Sequence, residues 1–213
     1  MIHLERLPEP DVLQQKKDRW LQRFLERKAD NPGTRPSSRQ YGHAEVRRTL
    51  AAMSYHKCFY CETKLAADGE VDHYIKVAEE PRLAFDWENL YQSCRGCNRH
   101  KLDNTAVPVV ECIDPCGDDD PAAHLAFEDE IITAKGGSPK GFRTIQKYSL
   151  DRSELDQSRI KALQRFEKTL RKLHERRDNR PLTGAEKEII RRFEQPDRPF
   201  SLMFHIYLAD IVL

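Results

Sequence analysis

Two cysteine pairs with the same spacing, Cys58/Cys61 and Cys94/Cys97, bracket the stretch of chain where reactive side chains are concentrated. Each C-x-x-C turn can bring two thiolates to one ion, and two such turns complete a tetrahedral shell of four soft ligands. That donor set selects Zn2+, and a closed shell leaves no open position for a substrate, so the metal is expected to be structural. A redox pair is the alternative for one C-x-x-C motif, but two of them flanking a polar cluster leave it little room. Cys112 and Cys116 form a C-x-x-x-C with His124 eight residues further on. They read better as partly buried thiols in a turn-rich segment than as a second metal site.

Between the pairs lie the dipeptide Asp72-His73 and Asn89, and Asn98 directly follows the last cysteine. Hydrolysis of a phosphodiester needs a base to activate water and a divalent cation to neutralise charge on the leaving oxygen. Mg2+ or Mn2+ takes hard oxygen ligands. His73 supplies the base, Asp72 the carboxylate and Asn98 the amide oxygen. Adjacent strand residues point to opposite faces, so Asp72 and His73 either flank the scissile phosphate or sit where the strand ends. Asn98 follows a zinc ligand, so the metal clamp would set its position. Spacing alone does not assign Asn89, although an amide there can pin the loop that carries His73. Each residue alone has a plainer reading: a hydrogen-bonding or surface His, a turn cap at Asn89, a helix start at Asn98. The joint arrangement between two zinc knuckles carries the chemistry.

The elements that must position these groups are legible from periodicity. A helix is expected over Glu9–Lys28, with Val12, Leu13, Trp20, Leu21, Phe24 and Leu25 at helical intervals, and a second over His43–Tyr55. The knuckle at 58–61 leads into an expected β-hairpin that turns through Ala67-Asp68-Gly69, with Val71–Ile75 as its second strand. A short stretch at 85–92 follows, and a helix opens at Cys94 and runs to about Leu102. His124–Glu128 and Ile131–Ala134 pair as a small hairpin, and Gly136, Gly137 and Pro139 break the pattern. Ser153 to about Arg177 is a long helix, Thr183 with Glu186 makes a capping box for the next, and Phe200–Leu213 is apolar enough for a buried helix. The expected class is α+β. An N-terminal helical segment covers 1–56, a core with an acidic insertion 57–150, and a C-terminal helical region 151–213.

The 213 residues are 38% hydrophobic and 33% charged, which suits a polar globular chain rather than a disordered one. No apolar run approaches the length of a membrane span, and the first residues lack an apolar signal core, so a cytoplasmic location with reduced thiols is expected. The net charge is only +1, but it is segregated. Residues 111–130 hold eight acidic side chains and no Lys or Arg, whereas 159–192 hold twelve Lys or Arg against five Asp or Glu. A segregated basic face can bind phosphates, although a charged helix is as readily a solvated one.

The segments C-F-Y-C-E, V-D-H-Y-I-K, W-E-N-L-Y-Q-S-C and C-N-R-H-K together resemble the HNH endonucleases. The resemblance implies a ββα-metal core around one divalent cation, with His73 as general base, Asp72 and Asn98 holding Mg2+ or a similar ion, and Asn89 orienting the His73 loop. It also implies cleavage that leaves 5′-phosphate ends. Lys76, Arg95, Arg99, His100 and Lys101 become candidate phosphate contacts. Beyond the motif, Asp86-Trp87, Ile113-Asp114-Pro115 and His124-Leu125-Ala126-Phe127, followed by a basic helix, look like the HNH subunits of Septu-type (PtuB-like) and retron-associated antiphage systems. That likeness implies an ABC-type (PtuA-like) ATPase partner docked on the flanking helices. Tyr74-Ile75-Lys76-Val77 departs from the pattern by lacking a proline after the His, which puts the local phosphate contacts in question. DNA is the expected substrate, with RNA such as a tRNA as the alternative of the same type. A zinc-ribbon module that binds nucleic acid without catalysis is the alternative of another class. It would have no use for Asp72 and His73 beside Asn98.

Overall fold

The computed structural model describes residues 1–65, 69–177 and 180–209. Helix α1 (Asp11–Asp30) buries Val12, Leu13, Trp20 and Phe24 along one stripe, and the single turn α2 (Ser38–Tyr41) connects it to α3 (Ala44–Met53). The α3 stripe of Val46, Leu50 and Met53 is also buried, and the His43 ring caps the helix by accepting from the Glu45 amide. These helices form one wall against a two-stranded antiparallel sheet, β1 (Glu70–His73) with β2 (Leu90–Ser93). Asp72 pairs with Tyr91 and His73 with Leu90.

This pairing differs from the expected hairpin. Ala67 and Asp68 of the expected turn lie outside the described residues, and β1 takes β2 as its partner. The segment 58–65 is coiled too tightly to be a strand. The Cys58 amide donates to the Thr63 carbonyl at 2.9 Å, the Glu62 amide to the Cys58 carbonyl at 3.0 Å, and Glu62 has a φ of 61°. What remains is a single bridge, Lys57 to Lys64, and a tether from the Phe59 amide to the Gln92 carbonyl of β2 at 2.9 Å.

Helix α4 (Arg95–Asp103) follows β2 directly, giving the order strand, strand, helix. A short turn α5 (Pro121–His124) precedes β3 (Leu125–Glu128), which pairs with β4 (Ile131–Ala134). The glycines and proline after β4 break the strand pattern, and the chain turns helical at once. Gly136 and Gly137 take positive φ in a turn, Ser138 caps a new helix by accepting from the Gly141 amide, and Pro139 opens α6 (Pro139–Tyr148). Proline suits a first helical position, where its missing N–H has no partner to lose.

The chain ends in α7 (Ser153–Arg177), α8 (Gly184–Arg191) with the Thr183/Glu186 capping box, and α9 (Ser201–Ala209); the rest of the expected last helix lies outside the described residues. Two apolar clusters result. One gathers α1, α3, the sheet, the four cysteines and α6. The other gathers Phe166, Leu173, Ile190, Phe200, Met203 and Phe204 from the C-terminal helices, and Phe127 of β3 packs against both. Arg159 of α7 is buried at the junction. Its guanidinium donates to the Leu150 carbonyl at 2.7 Å and to Asp156 at 2.8 Å, and lies 5.5 Å from the Phe127 ring centre. Among the described residues no helix is long and apolar enough to cross a membrane.

A buried ion cluster fastens α9 to the knuckle. Glu62 accepts from Lys57 Nζ at 2.8 Å, from Ser201 Oγ at 2.5 Å and from the Leu202 amide at 3.3 Å, with the Met1 ammonium 3.2 Å away. Burial by itself would raise this carboxyl, but the Met1 ammonium and Lys57 outweigh it and hold Glu62 down to about 2. Removing one member of a buried pair leaves charge without compensation, which typically costs about 3–5 kcal/mol. Glu62→Ala is therefore expected to lower the denaturation midpoint by an amount equivalent to about 3–5 kcal/mol, measured by urea titration.

Candidate functional site

The four sulfurs of Cys58, Cys61, Cys94 and Cys97 all lie within 4.8 Å of one another, and Cys61 Sγ is 3.8 Å from Cys94 Sγ. Sulfurs about 2.3 Å from a tetrahedral zinc sit about 3.8 Å apart, so the cluster has the size of a Zn2+ shell. Local structure explains the convergence. One pair sits in the tight knuckle, and in the other Cys94 is the N-cap of α4, its Sγ accepting from the Cys97 amide at 3.3 Å. Hydrogen bonds with Cys58 hold Cys61 and Cys94 below the usual thiol range, while burial raises Cys58 and the neighbouring sulfurs raise Cys97. Arg152 sets a positive charge against the cluster, with Nη2 3.5 Å from Cys97 Sγ and 3.8 Å from Cys94 Sγ. Burial would lower this guanidinium, but the facing sulfurs of Cys97 and Cys61 raise it. Among the described residues this is the group of three or more Cys, His, Asp and Glu side chains that could hold a metal. Cys112 and Cys116 do not join one with His124. Burial pushes their thiols up to about 11 and about 12, and the His124 ring instead meets Ser138 Oγ at 2.8 Å.

The polar residues divide between the two faces of β1. Glu70 and Asp72, two residues apart, share the face covered by α4. On that helix Asn98 Nδ2 donates to Glu70 Oε2 at 2.7 Å. One turn further, Lys101 Nζ donates to Asp72 Oδ1 at 2.8 Å and Oδ2 at 2.7 Å, and also to the His73 carbonyl. The Tyr60 hydroxyl, from the knuckle, donates to Asp72 Oδ2 at 2.7 Å. Asn98 and Asp72 are thus brought to one face by α4, but each is bonded to a different partner. Lys101 is only 1% exposed, so its ammonium is committed to Asp72 instead of standing on the surface as a phosphate contact. The reason is that an ionised carboxylate under a helix needs a counter-charge, and Lys101 is the one within reach.

His73 is the last residue of β1 and faces the other way. Its Nε2 is 2.9 Å from the Ala84 carbonyl oxygen, and its ring meets Tyr41 at 4.6 Å between centres. A carbonyl only accepts, so Nε2 carries the proton, and the lone pair of Nδ1 has no hydrogen-bond partner among the described residues. Burial holds the imidazole below its ordinary value, keeping it neutral near neutral pH. Asn89 closes the loop that supplies that carbonyl. Its Oδ1 accepts from the Ile75 amide at 2.7 Å, and its Nδ2 donates to the Ile75 and Leu83 carbonyls at 3.0 and 3.1 Å. Of the basic candidates, Arg95 and Arg99 are exposed, with Arg99 Nε 3.8 Å from Asp103, and His100 is half-buried. Lys76 Nζ lies 3.9 Å from Glu79.

Four contributors escaped the sequence reading. Glu70 had a detectable signal, since it alternates with Asp72 on the same strand face. Tyr60 sits inside the knuckle motif, but nothing in that motif directs its hydroxyl to Asp72. Tyr41 and Arg152 arrive from distant elements, with no local signal.

The cluster predicts two graded losses. Cys94→Ser is expected to reduce the folded yield and the zinc content read by mass spectrometry, because metal binding and folding of such a module are one equilibrium. Arg152→Ala, which leaves all four ligands in place, is expected to weaken zinc by about 10–100-fold in a chelator competition. A well-folded, zinc-free Cys94→Ser protein would contradict the structural assignment.

The family model of the bacteriophage lambda NinG protein matches residues 15–129, more than half of the chain. The Septu protein PtuB of Bacillus mycoides (strain KBAB4) is 33% identical over 159 residues, covering 60% of this chain and 54% of the relative. The Septu protein PtuB of Bacillus thuringiensis is 29% identical over 156 residues, covering 71% of this chain and 55% of the relative. Protein ninG of Salmonella phage P22 is 35% identical over 74 residues, covering 35% of this chain and 33% of the relative. The chain spans about half the length of the PtuB proteins it matches. The matched NinG region contains both cysteine pairs, Asp72, His73, Asn89 and Asn98, and on these matches the chain belongs to the NinG family and is a PtuB-like relative of the Septu proteins.

Proposed function

We propose that this chain is a metal-dependent HNH-type endonuclease that hydrolyses phosphodiester bonds in DNA, as the effector of an antiphage defence system with a PtuA-like ABC-type ATPase. The observation that carries the reading is the state of His73: one ring nitrogen anchored on the Ala84 carbonyl, the other with its lone pair free. The strand, strand, helix order around it supports a ββα-metal core.

In this reading His73 Nδ1 takes a proton from a water as the water oxygen attacks phosphorus and the bond to the 3′ oxygen breaks. The Nε2–H to Ala84 bond holds the ring in orientation and steadies the imidazolium that forms. Asn89 keeps that carbonyl in place through Leu83 and Ile75. Glu70, Asp72 and Asn98 Oδ1 are the hard oxygens beneath α4 that suit Mg2+ or Mn2+. Bound there, the cation would neutralise charge on the leaving oxygen, and it would replace the Lys101 ammonium now against Asp72. Arg95, Arg99, His100 and Lys76 are the phosphate contacts in this reading. The zinc cluster acts on catalysis only by fixing the start of α4.

Plasmid DNA and total RNA, incubated with Mg2+ or Mn2+ and with or without the ATPase, separate the outcomes. His73→Ala is expected to keep its circular dichroism and zinc content while losing cleavage by about 100-fold or more. Equal cutting by wild type and variant removes His73 from the role of base. Cleavage confined to RNA would transfer the reading to a tRNA-type nuclease.

A further inference from the structure

Helix α7 carries a feature that neither apolar cluster explains. Lys161, Arg165, Lys168, Lys172 and Arg176 recur at intervals of four, three, four and four residues, which places them on one side of the helix. All five are exposed, while Ala162, Phe166 and Leu173 of the same span turn inward. None of the five forms an ion pair or a side-chain hydrogen bond among the described residues. The span from Lys161 to Arg176 is about 22 Å of straight helix. Like charges one turn apart repel, so the stripe works against the helix that bears it. Elsewhere the same region pairs its cations. Arg159 meets Asp156 at 2.8 Å, and Arg180 meets Glu186 at 2.7 Å. Glu175 is the single acid at the edge of the stripe, and the acidic run of the chain, 111–130, lies outside α7.

We infer that this face of α7 is the track on which the phosphate backbone of duplex DNA lies. A duplex presents a fixed, regular array of negative charge, which a rigid line of cations can match. Single strands are usually gripped through stacked aromatic rings, and the one Phe, Tyr or Trp of this span, Phe166, is buried. The stripe thus favours double-stranded nucleic acid held by charge, with sequence left unread. The inference rests on the nuclease reading only for the identity of the ligand; binding itself needs neither His73 nor a divalent cation.

The test uses the zinc-loaded full chain without added Mg2+ or Mn2+, a fluorescein-labelled random-sequence duplex DNA, and anisotropy titrations across a range of KCl. Arg165→Gln/Lys168→Gln/Lys172→Gln removes three charges at exposed positions with little change in helix propensity, and unchanged circular dichroism confirms the fold. Each lost phosphate contact flattens the plot of log K against log salt by about 0.9, so the triple variant is expected to be shallower by about 3 units. Weaker binding of a single strand of the same sequence agrees with the inference. An unchanged slope in the variant overturns it. Loss of binding to phosphatidylglycerol vesicles with DNA binding intact also overturns it, and assigns the stripe to a membrane surface. Slope-dependent DNA binding by a protein that never cuts would leave this inference standing and remove the nuclease reading instead.

Discussion

Four sulfurs within 4.8 Å of one another are the constraint on which the rest of the core depends. They join a knuckle too tight to enter the sheet to the first turn of α4. The apolar clusters do not place these two to the accuracy that chemistry needs, because side chains of similar size can repack. A metal held by the four sulfurs would, since ligand distances in a tetrahedral thiolate shell vary little. Arg152 belongs to the same unit. It offsets charge that four thiolates would otherwise leave half-buried, and it sits at the start of α7.

Once α4 is fixed, electrostatics beneath it follow. Asp72 is buried, so an ionised carboxylate requires donors, and Tyr60 and Lys101 supply them. A buried pair of this kind contributes little net stability but is costly to break, and its value lies in specifying one arrangement. The opposite face of the same strand is organised by neutral hydrogen bonds from Asn89, and the burial that lowers His73 keeps its imidazole neutral there. The two functions proposed for adjacent residues lie side by side where β1 ends.

Much of this was legible in the sequence, and the limits have physical causes. The cysteine spacing indicated the cluster because C-x-x-C geometry is local. Helices α1, α3, α7 and α8 were legible from apolar periodicity and caps, within a few residues. The partner of β1 was misjudged because strand pairing is non-local: Gly69 suggested a turn, whereas the knuckle's own backbone bonds kept it out of the sheet. Pro139 marked the change from strand to helix in the sequence, and the Ser138 cap shows that α6 starts at the proline itself. Lys101 looked like a surface cation because charge alone does not reveal burial, and the carboxylate it neutralises is 29 residues away in the chain.

Arg159 has a mechanical consequence. Arg152 and the first turns of α7, as far as Arg159, are clamped to the core that carries the four cysteines, while Phe166 and Leu173 further along pack in the C-terminal cluster. An α-helix is stiff over such a length, so α7 is a lever about 37 Å long with its fulcrum at a buried guanidinium.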